Sequence, residues 1–178
     1  WDDKLLIRGR TDFEKQLSVI IHFLRHAKTN QHSSSGRDFD RELLPRGYEQ
    51  LKSFRDFATL NQISIEHIYC SSAKRTRQTL AEITDLFPHA TISFHDELYL
   101  ASATELLQFI NEKNTDQAFL LIGHNDGLSE LVSYLSDKNV QLKTCGYIQL
   151  SFPFEHSGGL AVSGFADAAG VEGHFRPI

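Results

Sequence analysis

Three apolar runs, each closing abruptly on polar residues, set the rhythm of the chain. The first passes through Val19, Ile20, Ile21, Phe23 and Leu24 and stops at Arg25-His26. The second spans residues 63–70, with Ile63, Ile65 and Ile68 before Tyr69, and the third is Ala118-Phe119-Leu120-Leu121-Ile122. All three read as strands, and the first, β-branched and apolar, as one buried on both faces. Between them the period changes. Leu51, Phe54, Phe57 and Ala58 follow Pro45 at helical spacing, with the fixed φ of the proline suited to a first turn. Ser71-Ser72 predicts an N-cap for a helix running through Leu80, Ile83 and Phe87, which Pro88 ends. A short strand is expected over residues 91–94, then a helix capped by Ser102 and carrying Leu106, Leu107 and Ile110. Leu128, Leu131, Val132 and Leu135 share one face of a further helix over about residues 126–136, and the tail from Tyr147 to Phe175 reads as β-rich. Strands alternating with helices predict an α/β domain whose mainly parallel sheet is covered on both faces.

A parallel sheet brings the ends of its strands to one edge, and that edge is where open α/β sheets hold ligands. Here the strand ends carry Arg25-His26, then the segment Ser71-Ser72-Ala73-Lys74-Arg75-Thr76-Arg77-Gln78-Thr79, then Gly123-His124-Asn125. Two His and two Arg at one edge suit gripping and attacking a phosphoryl group. Each alone has a structural reading. Arg75, flanked by Lys74 and Arg77, fits a solvated helix face. His124 fits a helix cap, and Arg-His is a short match in a chain with nine His. Their joint placement favours a site. The polar stretch 30–41, with Ser33-Ser34-Ser35-Gly36 at its centre, reads as a mobile loop beside it.

Composition narrows the classes. A length of 178 residues suits one domain over 17–178 after a lead-in over 1–16. Asp2, Leu5, Leu6, Arg8 and Gly9 of that lead-in repeat the spacing of Asp40, Leu43, Leu44, Arg46 and Gly47, a chance echo on this reading. A formal net charge of −5 argues against binding nucleic acid through bulk charge. No apolar run is long enough to span a membrane. No signal peptide is legible, and the chain opens at Trp1 without an initiator methionine, which leaves the native start open. Cys70 and Cys145 lie in or beside apolar runs without metal-ligand spacing, as expected of buried reduced thiols in a cytoplasmic protein.

On these motifs the chain resembles the histidine phosphatase superfamily. The hallmark Arg-His-Gly corresponds to Arg25-His26-Ala27, Ser-x-x-x-Arg-x-x-Gln-Thr to Ser71 through Thr79, and the Gly-preceded second His to His124. Within the superfamily it is most similar to SixA-type phosphohistidine phosphatases, through Arg25-His26-Ala27-Lys28, Asp38-Phe39-Asp40-Arg41, residues 44–47, residues 98–102 and Gly123-His124-Asn125. The resemblance implies a phosphoglycerate mutase-like, three-layer α/β/α fold and a metal-independent phosphatase without cofactor. It implies His26 as the nucleophile, forming a phosphohistidine, with Arg25, Arg75 and His124 as the clamp. Arg41, Thr29 and Asn125 are expected as weaker substrate contacts.

The chemistry suits these roles. A neutral imidazole is a competent nucleophile, and phosphoryl transfer rests on positioning and on charge stabilisation of the equatorial oxygens. Arg supplies bidentate, permanently charged contacts that Lys does not reproduce, and His124, protonated or donating a hydrogen bond, would complete them. One departure bears on substrate. The ester-cleaving members' Glu-x-x-x-Gly-like acid segment is absent from Asp96-Glu97-Leu98-Tyr99-Leu100-Ala101-Ser102, so Asp96 or Glu97 remains only as a displaced acid. Without an acid, a phosphorylated imidazole is a better substrate than an alkyl ester. The expected substrate is therefore a phosphorylated protein of the histidine phosphotransfer type. The alternatives are a broad phosphatase of small phosphorylated metabolites and a non-catalytic phosphate-sensing module, which would need no nucleophile. A monomer is the default expectation.

Overall fold

A computed structural model describes residues 18–113, 115–153 and 170–177. The lead-in expected over 1–16 and the segment 154–169 lie outside the described residues. Among the described residues six strands form one sheet, in the order β3-β2-β4-β1-β5-β6. The strands are β1 (Ser18–Arg25), β2 (His67–Ser71), β3 (Thr91–His95), β4 (Phe119–Gly123), β5 (Tyr147–Pro153) and β6 (Gly170–Phe175). β1 pairs with β4, β4 with β2 and β2 with β3, all parallel. β5 and β6 add an antiparallel edge. The sheet is mostly parallel, as the alternation of elements predicts, and the antiparallel edge comes from the tail.

The helices are α1 (Pro45–Leu60), α2 (Lys74–Ala81), α3 (Ala103–Lys113) and α4 (Gly127–Ser136). They cover opposite faces because strand residues alternate sides. Val19, Ile21 and Phe23 of β1 join Phe119 and Leu121 of β4 in the core under α3 and α4, with Leu106, Ile110, Leu128 and Leu131. Leu24, Ile68, Leu120 and Ile122 point the other way and meet Leu51 and Phe54 of α1 and Leu80 of α2. At ~1.5–3 kcal/mol for each large apolar side chain buried, these two layers dominate the stabilising side of folding. Two glycines set how closely the layers approach the strand ends. A Cβ on Gly47 would collide with the Lys28 carbonyl oxygen, and one on Gly127 with the Ala101 carbonyl oxygen. No helix among the described residues is long and apolar enough to cross a membrane.

Several boundaries differ from the sequence reading. β2 begins at His67, since Ile63 and Ile65 pack from the preceding loop rather than from the strand. α2 starts two residues after Ser72, at Lys74, with Ala73 at its N-cap and no side-chain cap. Ser71 is instead committed to His124 through its hydroxyl. α2 also stops at Ala81, and the apolar spacing to Phe87 continues through a 3-10 turn over Thr84–Leu86. The Ser102 cap does form, as a reciprocal box. The Glu105 amide donates to Ser102 Oγ at 3.3 Å, and the Ser102 amide donates to Glu105 Oε2 at 2.8 Å.

Candidate active site

Register does most of the assembly. Arg25 of β1 lies opposite Gly123 of β4, so the next residue on each strand is a histidine at the same level. The His26 amide donates to the Gly123 carbonyl at 3.1 Å, and the two imidazole centroids stand 5.3 Å apart. β2, the other neighbour of β4, ends at Ser71, whose Oγ is 2.8 Å from His124 Nε2. Arg75, in the first turn of α2, is fully buried and reaches back over the same edge. His26, Arg25, Arg75 and His124, which the sequence places on three strand ends, are thus brought together.

His26 has a defined tautomer. Its Nδ1 lies 2.8 Å from the Ala27 carbonyl oxygen, an acceptor only, so Nδ1 carries the hydrogen and Nε2 keeps the lone pair. Burial lowers its pKa to about 3; the bond to Ala27 opposes that shift, and the Arg75, Arg25 and Arg41 charges add to it. The ring is therefore neutral at pH 7. Ala27 is itself anchored, its amide donating to Thr79 Oγ1 at 3.1 Å, while Thr79 Oγ1 donates to the Arg75 carbonyl at 2.8 Å.

His124 is neutral as well. Burial pulls its pKa well below the ordinary value, and the Arg75 charge acts in the same direction. Arg75 Nε, which can only donate, lies 3.2 Å from His124 Nδ1. That places the ring hydrogen on Nε2, donated to Ser71 Oγ. Of the two states expected from sequence, the protonated one is disfavoured here, because a buried ring already faces a guanidinium. In this arrangement His124 aligns Arg75 through its lone pair.

Two of the four Nη hydrogens of Arg75 go to one residue. Nη1 donates to the Asp38 carbonyl at 2.8 Å and Nη2 to Asp38 Oδ2 at 3.0 Å. Tyr99 donates to the same Oδ2 at 2.7 Å, and Arg41 Nε forms an ion pair with Oδ1 at 2.8 Å. Partial burial works against ionisation of Asp38, but Tyr99, Arg75 and Arg41 together hold its carboxyl below the usual range. The Tyr99 ring also packs edge-on against His124 at 5.5 Å and under the Arg75 guanidinium at 5.6 Å. Asp38 and Tyr99 lie within the motifs that carry the family resemblance, and neither is among the expected site residues. A 3-10 turn that folds back onto a buried arginine leaves no periodic signal.

The other expected residues fall into two groups. Arg25 Nη1 donates to the Leu142 carbonyl at 2.8 Å, while its Nε is buried without a hydrogen-bond partner. Arg41 donates to the Asn30 carbonyl at 3.1 Å and acts on both histidines through its charge. Asn125 is tied into the protein, with Nδ2 donating to the Leu142 carbonyl and Oδ1 accepting from Ser129. Thr29 is buried and bridges to Leu43 through its backbone. Glu97 is bonded to His95 at 3.0 Å, and Asp96 is exposed at the start of the 3-10 turn that leads to Tyr99. Neither is in the shell described around Arg75; the carboxylate that enters it is that of Asp38. Among the described residues no three His, Cys, Asp or Glu side chains converge to hold a metal ion.

Comparison with known proteins accords with this geometry. Residues 21–99 match the model of the histidine phosphatase superfamily, branch 1. An uncharacterized protein of Mycobacterium tuberculosis is 31% identical over 114 residues, covering 64% of this chain and 70% of its own. A protein assigned as the phosphohistidine phosphatase SixA of Agrobacterium tumefaciens is 26% identical in its crystal structure, with a TM-score of 0.70, covering 75% of this chain and 92% of that one. The protein histidine phosphatase SixA complexed with tungstate has the same fold, at a TM-score of 0.71 and 16% identity, over 89% of this chain and 97% of its own.

Proposed function

Because the chain belongs to the histidine phosphatase superfamily and is a phosphatase, we propose that it hydrolyses phosphohistidine on a protein through a phosphoryl intermediate on His26. The observation that carries this reading is the bond from His26 Nδ1 to the Ala27 carbonyl, which leaves the lone pair on Nε2 of a neutral ring. Nε2 attacks phosphorus, and as the new bond forms the P–N bond to the substrate imidazole, already protonated on its other ring nitrogen, breaks and releases a neutral imidazole. Water then attacks phosphorus, the bond to Nε2 breaks, and inorganic phosphate leaves. Arg25, through its orphan Nε, and Arg75 stabilise charge on the equatorial oxygens.

The leaving group decides the substrate. Asp38 is held ionised by hydrogen bonds from Tyr99 and Arg75 and by the charges of Arg75 and Arg41, and the Glu97 pKa is lowered by a backbone hydrogen bond and by His95, so neither supplies a proton at pH 7. An alkoxide needs that proton far more than an imidazole does. The similarity to the Agrobacterium protein, whose name carries the phosphohistidine assignment, supports the same choice.

The test is a comparison of kcat/KM on a phosphohistidine-bearing phosphotransfer protein, p-nitrophenyl phosphate and glycerol phosphate. The expected order is phosphohistidine first, the aryl ester second and the alkyl ester last by about 10²-fold or more. Asp96→Asn and Glu97→Gln are expected to keep phosphohistidine turnover. Efficient turnover of glycerol phosphate, or loss of phosphohistidine turnover in either variant, would overturn the reading in favour of a phosphatase of small esters.

A further inference from the structure

We propose that Asp38 is a specificity-determining residue, a fixed carboxylate at the phosphate clamp that disfavours substrates carrying a second negative charge beside the phosphoryl group. The inference deepens the phosphohistidine reading and rests on it for the identity of the group transferred. The position of the carboxylate is set from four directions. Its residue's carbonyl accepts from Arg75 Nη1, Oδ2 accepts from Arg75 Nη2 and from the Tyr99 hydroxyl, and Oδ1 pairs with Arg41. Phe39, the next residue, packs edge-on against the Tyr99 ring at 4.9 Å, which locks the turn to the same tyrosine.

Asp38 differs from the other carboxylates of this loop. Asp40 pairs with Arg37, and Glu42 pairs with Lys74, so both are compensated by cations outside the clamp. Asp38 draws its compensation from Arg75 and Arg41, and Arg75 is the guanidinium that a phosphoryl group would engage. A bound phosphoryl dianion competes for that positive charge. The carboxylate is then left partly uncompensated, facing whatever is attached to phosphorus. Its side chain is 47% exposed, so it is open to an arriving substrate. A neutral or N–H-bearing leaving group, such as the imidazole of a phosphorylated histidine, is accepted, whereas a carboxylate or a second phosphate is repelled. Like charges juxtaposed in a partly desolvated site cost enough to set specificity.

The experiment compares phenyl phosphate with 4-carboxyphenyl phosphate on the wild type and on Asp38→Asn, which keeps size and an acceptor oxygen. The wild type is expected to favour phenyl phosphate by about 10-fold or more in kcat/KM, and the substitution to shrink that ratio several-fold. Phenylphosphonate and 4-carboxyphenylphosphonate, which bind without turnover, give the same ratio as dissociation constants should the variant be slow. An unchanged ratio, no preference in the wild type, or equal loss of binding for both phosphonates would overturn the filter. Equal loss would assign Asp38 to holding Arg75 in place. Neither ratio depends on phosphohistidine turnover. Should phosphohistidine protein resist hydrolysis while the ratio shifts, the substrate reading fails and the filter stands.

Discussion

His26 and His124 leave neighbouring parallel strands at the same level, and their rings stand 5.3 Å apart because Arg25 is in register with Gly123. The pair is asymmetric. His26 gives its hydrogen to a carbonyl and keeps an Nε2 lone pair, whereas the His124 lone pair is taken by Arg75. Two residues of one type at one sheet edge therefore carry opposite duties on the proposed mechanism. One attacks, and the other aligns the guanidinium that receives the charge.

The attacking atom can be trapped. Mixing the protein with substrate and quenching in alkali, where N–P bonds survive, is expected to leave phosphate on His26 alone, attached through Nε2. His26→Ala is expected to lower turnover by about 10³-fold or more, the scale of losing a covalent nucleophile. Peptide mapping and the rate of the variant check both. Phosphate found on His124, or full activity in His26→Ala, would sink the assignment.

Arg75 and Arg77 sit two residues apart on α2 and are predicted to respond differently to the same change. Arg75 is fully buried and makes three directed bonds, to His124 and Asp38. Arg77 lies over the exposed Phe94 ring at 3.9 Å and donates to the Ser72 carbonyl. Arg75→Lys removes the planar fork and is expected to cut kcat/KM by about 10²-fold. Arg77→Lys is expected to stay within about 3-fold. Equal, small losses at both positions would mean that Arg75 is structural only.

The parts of the site legible in the sequence are those that periodicity delivers. An apolar run that stops at Arg25-His26 and another that stops at Gly123-His124 fix two strand ends, and parallel pairing aligns them. The helix carrying Arg75 is legible too, although not its first residue. Ser71-Ser72 has cap chemistry, but the Ser71 hydroxyl is used by His124 instead, a tertiary demand that local preference does not show. Asp38 and Tyr99 lie 61 residues apart and meet through a 3-10 turn, so nothing in their spacing joins them. The Asp96 and Glu97 expectation rests on position along the chain, whereas Glu97 is bonded to His95.

Acid should weaken the fold through its buried histidines. Burial lowers the pKa of His22 to about 4 and that of His26 to about 3, against 6.5 in an unfolded chain. Between those values the unfolded state binds more protons than the folded one, so stability rises with pH there and is lost as pH falls below about 6.5. Each such histidine contributes a slope approaching ~1.4 kcal/mol per pH unit. His22 also has a buried Nε2 without a partner and lies outside the proposed chemistry. His22→Asn is expected to flatten the slope between pH 6 and 5 by about one proton. Urea unfolding at several pH values reads it, and an identical slope in the variant would show that His22 stays neutral in both states or charges in both.

The last prediction concerns Ser71, because its hydroxyl fixes the state of His124. Arg75 Nε can only donate, so His124 Nδ1 must be unprotonated and the ring hydrogen must lie on Nε2, 2.8 Å from Ser71 Oγ. Nitrogen-15 NMR of the histidine rings is expected to show His124 as the Nε2–H tautomer and His26 as the Nδ1–H tautomer at pH 7. Ser71→Ala removes the acceptor and leaves a buried N–H unpaired, at an expected cost of about 1–3 kcal/mol in unfolding free energy. It also releases the ring from the orientation that aims its lone pair at Arg75. Turnover should therefore fall by about 10-fold, mainly in kcat, because Arg75 loses alignment when charge develops on the phosphoryl oxygens. Ser71→Thr retains a hydroxyl and is expected to recover part of both losses. If Ser71→Ala costs stability but leaves kcat and the His124 tautomer unchanged, His124 is held by Arg75 alone and Ser71 belongs to the packing of β2.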